Sequence, residues 1–156
     1  MKHLQFFATL LIAGTIFTAC GNDDNKKDEP KPAEETTNQS FQGVFSVQNT
    51  DGSTYTQEDV VVDYAVTDDK GLVLTFNQVS FSAKMPVKID MEIPNVEYQN
   101  EDGKITLSGN NIVPFAMGGE FPKYTITNLS GTVNDGTLSV SMNCGESPTT
   151  FVGNSL

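Results

Sequence analysis

The chain has 156 residues, a formal net charge of −11 at pH 7, and nine basic side chains, none of which is arginine. This acidic composition disfavours nucleic-acid binding, because phosphate contacts need clustered cationic side chains. The single histidine, His3, lies in a segment that we expect to be removed, which leaves no Ser-His or Cys-His pair for nucleophilic catalysis.

Residues 1–19 have the pattern of a secretory signal peptide. Lys2 and His3 form a short, positively charged start, and residues 4–17 are almost wholly apolar. That run is shorter than the roughly 20 apolar residues that a membrane-spanning helix needs, but it suits the apolar region of a signal. The small residues Thr18 and Ala19 follow, as cleavage requires. We therefore predict that residues 1–19 are removed.

Cys20 stands directly after this predicted signal. The arrangement resembles the signal of bacterial lipoproteins, in which the cysteine sulfur receives a diacylglycerol and the cysteine becomes an acylated N-terminus. Phe17 departs from the leucine that is usual three residues before such a cysteine, and an ordinary signal peptide with an incidental cysteine is the alternative. Because several acyl chains anchor a protein stably, Cys20 is predicted to hold the mature protein on a membrane.

Residues 20–40 are rich in charge and contain almost no apolar side chain. Such a segment cannot bury enough surface to offset its chain entropy, so we predict a disordered acidic tether. Its acidic part resembles the surface-export signal of Bacteroidetes lipoproteins, carried here by Asp23, Asp24, Asp28 and Glu29. The resemblance implies a lipid-anchored protein exposed on the outer membrane. The alternative is a plain solvated spacer with no address function, and the alternative location is the periplasmic face.

From Phe41 onward the apolar residues recur with a period of two, which is typical of half-buried β-strands. The stretch MPVKIDMEI shows the alternation most clearly. Asp51-Gly52, Asp102-Gly103 and Asp135-Gly136 predict hairpin turns, because glycine accepts a positive φ at little cost. These acidic turns lack the ligand spacing of a calcium loop, so we interpret them as turns rather than metal sites. No cofactor is predicted.

These runs predict about eight strands in a single all-β domain over residues 41–156. The strands are expected at 41–49, 54–67, 71–82, 85–93, 95–99 with 104–109, 110–117, 123–133 and 137–143, and a short closing segment at 149–153. Consecutive hairpins would leave two exposed sheet edges, which closure into an antiparallel up-and-down barrel removes. A two-sheet β-sandwich is the alternative.

The strand pattern resembles the calycin-like lipoproteins of Bacteroidetes over about residues 41–153. The resemblance is carried by FQGVFSVQ, TQEDVVVDYAVTDDKGLVLTFNQVSF, MPVKIDMEIPNVEY, DGKITLSG and VNDGTLSVSM. It implies a lipocalin-like barrel. Gly43-Val44-Phe45 stands where a lipocalin has Gly-X-Trp, and both the tryptophan and the arginine that packs on it are missing. Retinoid or fatty-acid binding therefore does not carry over to these residues.

The inward-facing apolar stripe is the first candidate site, and it includes Phe45, Tyr64, Phe76, Met91 and Met142. A barrel of about eight strands is either filled by its side chains or holds one small ligand. Large, adaptable side chains of this kind suit a small apolar ligand. We expect that ligand to be uncharged, because arginine is absent and Lys84 and Lys88 point outward by alternation. A filled core is the alternative.

The loop that contains Met117 and Phe121 is the second candidate site. Its sequence, AMGGEFPKY, is typical of an exposed contact loop, which would make the protein an adhesin or inhibitor that binds a surface macromolecule. The alternative is that Phe121 plugs one end of the barrel. Cys144 is expected to be a small, partly buried residue, because no histidine is present to activate its thiol. We therefore expect a non-catalytic protein.

Overall fold

The computed structural model describes residues 38–67 and 70–156. The predicted signal peptide, Cys20 and the predicted export residues Asp23, Asp24, Asp28 and Glu29 lie outside the described residues. Within the described ranges, no helix combines the length and the apolar character needed to cross a membrane.

The described residues form strands because apolar and polar side chains alternate along them. The elements are β1 (Asn38–Gln48), β2 (Thr54–Thr67), β3 (Gly71–Val79), β4 (Ile89–Glu101), β5 (Lys104–Gly109), β6 (Phe115–Ala116), β7 (Gly119–Glu120), a short 3₁₀ helix (Pro122–Tyr124), β8 (Ile126–Asn134), β9 (Thr137–Cys144) and β10 (Ser147–Ser155). The first strand thus begins at Asn38, ahead of the predicted domain start at Phe41.

Eight of these strands close into an antiparallel barrel. The order around the barrel is β1, β2, β3, β4, β5, β8, β9 and β10, and β10 pairs back onto β1. The short strands β6 and β7 form a hairpin that adds to β4, where Ala116 pairs with Met91 and Phe115 pairs with Glu92. The predicted all-β, up-and-down barrel is confirmed, and the sandwich alternative is not adopted.

The predicted strands at 85–93 and 95–99 are joined in the structure as β4, which begins only at Ile89. The chain turns before that point, since Met85 N donates a hydrogen bond to Ser82 O at 3.1 Å. Pro86 follows and has no N–H to offer to a neighbouring strand. Val87 is therefore an exposed loop residue rather than an inward-facing strand residue.

Two segments later in the chain, at 110–117 and 149–153, also differ from the prediction. Asn111 takes a φ of 56°, and the predicted strand at 110–117 is reduced to a single bridge between Ile112 and Ile126 followed by β6. The closing segment at 149–153 is the middle of β10, a full strand whose pairing with β1 runs from Phe41 opposite Ser155 to Val47 opposite Thr149. This pairing closes the barrel.

The two ends of the barrel carry connections of different length. The upper end has the turns at 49–53 and 145–146 and the two long connections at 80–88 and 110–125. The lower end has the start of β1, the end of β10 and short turns such as those at 102–103 and 135–136. The long connections therefore lie at the end opposite the start of β1.

Candidate functional site

An aromatic cap, formed by Phe81, Phe121 and Tyr124, covers the upper end of the barrel. Phe81 stacks on Tyr124 with 4.6 Å between the ring centroids and 19° between the ring planes. The Phe121 ring lies 5.0 Å from that of Tyr124, and the Phe81 ring lies 5.9 Å from that of Phe45 in the core. Such distances represent direct ring contact. The two long connections thus pack on each other and on the core.

The β6–β7 hairpin projects beside this cap and carries Met117 at its tip. Met117 and Gly118 both have positive φ values, 54° and 85°, which is the pattern of a type I′ turn. The left-handed conformation is unfavourable for a residue with a Cβ, so Met117 is held there by the hairpin around it. Its side chain is 80% exposed. The hairpin therefore presents an apolar side chain to solvent.

A groove of about 640 Å³ lies between this hairpin and the outer face of β3 and β4. We call it the hairpin groove, and its lining includes Lys70, Thr75, Gln78, Val87, Lys88, Ile89, Asp90, Glu92, Phe115, Ala116, Met117, Gly118 and Gly119. Three of its apolar side chains are exposed to solvent, namely Val87 (60%), Phe115 (39%) and Met117 (80%). Apolar side chains from two separate connections thus meet around one concave surface.

Polar contacts within the barrel wall engage both carboxylates of the hairpin groove. Lys70 Nζ lies 2.7 Å from Glu92 Oε1, and the same nitrogen lies 5.8 Å from the centroid of the Phe115 ring. The Gln78 backbone N–H and the Gln78 side-chain amide both donate to Asp90 Oδ1, each at 2.8 Å. Lys70 and Gln78 thereby hold these two carboxylates in place on the barrel wall.

The five residues predicted to line a ligand pocket come together in the barrel core. Phe45, Phe76 and Met91 are 0% exposed, Tyr64 is 2% exposed and Met142 is 4% exposed. The Phe76 ring lies 5.8 Å from that of Phe45 and 5.9 Å from that of Phe151. Burial, followed by the influence of nearby Tyr98, raises the pKa of Tyr64. The central rings of the stripe therefore contact one another directly.

The two residues of the predicted contact loop have different surroundings. Met117 is exposed at the hairpin tip, whereas Phe121 is half-buried and packs against the core through Tyr124. Val87, Phe115 and Lys70 line the same groove as Met117, and none of the three was predicted as a site residue. The triplet Met117-Gly118-Gly119 was a turn signal that could have located the hairpin.

A second hollow, of about 620 Å³, lies at the lower end. Its apolar lining consists of Ile105, Val133 and Leu156, and the remaining residues are mostly polar or glycine, from the strand ends and the turns near 103 and 135. Among the residues that line this lower hollow, Leu156 is the one large apolar side chain that is exposed. The hairpin groove has three such side chains, so it is the more apolar of the two surfaces in this respect.

Cys144 is a buried free thiol at the upper end of β9. Its Sγ lies 3.8 Å from Met91 Sδ and 3.8 Å from Tyr124 O. Burial raises the pKa of this thiol to about 12, so little thiolate forms at neutral pH. Over residues 38–67 and 70–156, no three His, Cys, Asp or Glu side chains cluster as a metal site would require.

The described residues form a closed, eight-stranded antiparallel barrel, and this fold is compatible with the calycin or lipocalin architecture. Comparisons of the chain with models of known protein families, with curated proteins and with solved structures gave no match.

Proposed function

We propose that the protein is a lipid-anchored, non-catalytic β-barrel that acts as an interaction module and binds another macromolecule through the hairpin groove. The observation that carries this proposal is the group of three exposed apolar side chains, Val87, Phe115 and Met117, around one concave surface. Exposed apolar groups that gather at one place commonly mark interaction sites, whereas single ones do not.

The position of the groove also supports this role. The hairpin groove includes residues of both upper-end connections, while β1 begins at the lower end with Asn38. The start of β1 therefore lies at the end opposite the aromatic cap. Such an arrangement leaves the long connections accessible to a partner.

The anchoring and location in this proposal rest on the sequence. Cys20 would carry the lipid, and Asp23, Asp24, Asp28 and Glu29 would direct the protein to the surface of the outer membrane, as in the Bacteroidetes lipoproteins that the sequence resembles. Retention on the periplasmic face is the alternative. Signal cleavage before Cys20 and protease accessibility of the barrel on intact cells would distinguish these locations.

A small apolar or uncharged ligand inside the barrel is the second candidate function. The burial of Phe45, Tyr64, Phe76, Met91 and Met142 in one apolar cluster favours it, since such a lining would suit an apolar guest. The direct ring contacts of Phe76 with Phe45 and Phe151 favour the filled core instead, because those rings occupy the space that a guest would need. We therefore place the interaction surface on the outside of the barrel.

Site-specific photo-crosslinking on intact expressing cells tests the proposed surface. A photo-reactive amino acid at position 117 is expected to give a discrete adduct with a partner. The matched control is position 102 at the lower end, where Asp102 precedes a glycine and has a φ of 51°, close to the 54° of Met117. An adduct from position 102 of equal yield, or no adduct from position 117, would contradict the proposal.

A further inference from the structure

The described methionines differ widely in their exposure to solvent. Met117 is 80% exposed, whereas Met91 is 0% and Met142 is 4% exposed. Met85 is half-buried, and its Sδ accepts the Phe81 backbone N–H at 3.5 Å. Met91 Sδ faces Cys144 Sγ at 3.8 Å within the core. Among these four side chains, Met117 is the one whose thioether is open to a dissolved reagent.

The hairpin geometry keeps the surroundings of Met117 open. Both residues of the turn have positive φ, so the Met117 side chain stands at the tip rather than against the barrel wall. A methyl group added at Gly118 or at Gly119 would meet no atom within 4 Å. The tip is therefore uncrowded on the side of both glycines, which leaves room for a small oxidant to approach.

We propose that Met117 is a site of reversible oxidation by peroxides, and that the resulting sulfoxide weakens the contact made through the hairpin groove. The thioether sulfur attacks one oxygen of hydrogen peroxide, the O–O bond breaks, and that oxygen stays on the sulfur. The other oxygen leaves as water after taking up the remaining proton, so the sulfur loses two electrons and the peroxide gains them. The weakening of the contact rests on the proposed function, whereas the oxidation itself does not.

Oxidation at this position would change the character of the groove. The sulfoxide is polar and chiral, so the tip loses the apolar group that a partner would bury. The loss of one buried methionine contact corresponds to binding that is weaker by at least about tenfold. Methionine sulfoxide reductases reverse the modification, so the contact would recover.

The core sulfur atoms of the barrel should not compete for the oxidant. Cys144 is buried, and burial raises the pKa of its thiol to about 12, so the reactive thiolate is scarce at neutral pH. Met91 and Met142 would first require opening of the barrel. A folded protein is therefore expected to gain one oxygen atom at Met117 before its core sulfurs react.

Peptide mapping by mass spectrometry tests the oxidation. The full chain, purified from membranes in detergent, is treated with hydrogen peroxide at neutral pH, and the oxidised fraction of each methionine is followed with time. Met117 is expected to be oxidised at least about tenfold faster than Met91 or Met142, because oxidation follows exposure. Similar rates for the three residues would overturn the proposal, as would slower oxidation of Met117.

A second measurement tests the effect on the contact. A photo-reactive amino acid at position 87, on the rim of the same groove, reports partner contact on intact cells while Met117 is retained. The adduct yield is expected to fall after peroxide treatment and to recover after treatment with a sulfoxide reductase. In a Met117→Leu variant, the adduct yield after peroxide should equal the yield before peroxide. The control variant is Met85→Leu, in which the adduct yield should still fall after peroxide.

The two measurements distinguish failure of the oxidation switch from failure of the proposed function. An unchanged adduct yield with Met117 fully oxidised would overturn the switch and leave the proposed function standing. The absence of any adduct, before or after peroxide, would overturn the proposed function and with it the switch, even if peptide mapping shows selective oxidation of Met117.

Discussion

Replacement of Gly43 by alanine is expected to lower the free energy of unfolding by about 3 kcal/mol, because the added methyl group has no space. A Cβ at this position would lie 2.0 Å from Val152 O and 2.3 Å from Gly153 Cα, both backbone atoms of β10. Gly43 lies opposite Gly153 in the pair of strands that closes the barrel. Relief of the clash therefore requires β1 and β10 to separate. Equilibrium unfolding in urea measures the effect.

Gly119→Ala is the matched control for this change. A Cβ at Gly119 would meet no atom within 4 Å, and Gly119 is not among the glycines with a positive φ. Its effect on stability should stay within about 0.5 kcal/mol, as for most surface substitutions. If Gly43→Ala were as well tolerated as Gly119→Ala, the close approach of β1 and β10 would be wrong.

Phe76→Ala is expected to lower the free energy of unfolding by about 3–5 kcal/mol, through the loss of apolar burial and the cavity that remains. Phe76 is 0% exposed, and its ring contacts those of Phe45 and Phe151. It also lies between Val62 of β2 and Met91 of β4 in the sheet register. The removal of this side chain therefore loosens three strands at once. Urea unfolding again provides the measurement.

Val152→Ala is the control for the Phe76 change. Val152 is 53% exposed on the outer face of β10, next to the buried Phe151. Its truncation removes little buried surface and should change stability by no more than about 0.5 kcal/mol. A loss below about 1.5 kcal/mol for Phe76→Ala would indicate a loosely filled interior, since core truncations of this kind normally cost more. That result would favour the interior ligand.

The barrel itself could be predicted from the sequence because the physical signals agree. Alternation in β2 and β3 places Val62, Tyr64 and Phe76 on one buried face, and the predicted Asp-Gly turns lie between consecutive strands. Strand β10 was predicted too short. Its inward positions are occupied by Thr149, Phe151 and Gly153, of which only the phenylalanine gives an apolar signal.

The hairpin groove could be predicted only in part. Met117 was singled out because it stands in a glycine-rich connection. Val87 was assigned to a strand, because the alternation from 85 to 93 continues across Pro86 although the backbone turns there. Phe115 reaches the groove through the pairing of β6 with β4, which is a long-range contact that local patterns do not encode.

The role of Phe121 depended on tertiary packing in the same way. The sequence allowed both an exposed aromatic side chain and a plug at the barrel end. The stacking of Phe81 on Tyr124 creates an apolar surface, and the half-buried Phe121 packs on it. Phe81 and Phe121 belong to different connections, so no local pattern specifies their meeting.

Native mass spectrometry of the purified protein, after incubation with an extract of lipids and small molecules, tests most directly whether the function lies outside the barrel. A barrel filled by its own side chains predicts the mass of the protein alone throughout. The contradicting result is an added mass of one small molecule per chain that a Met117→Glu variant retains and a folded variant at Phe76 or Met91 loses. That result would place a ligand inside the barrel and move the functional site from the hairpin groove to the core.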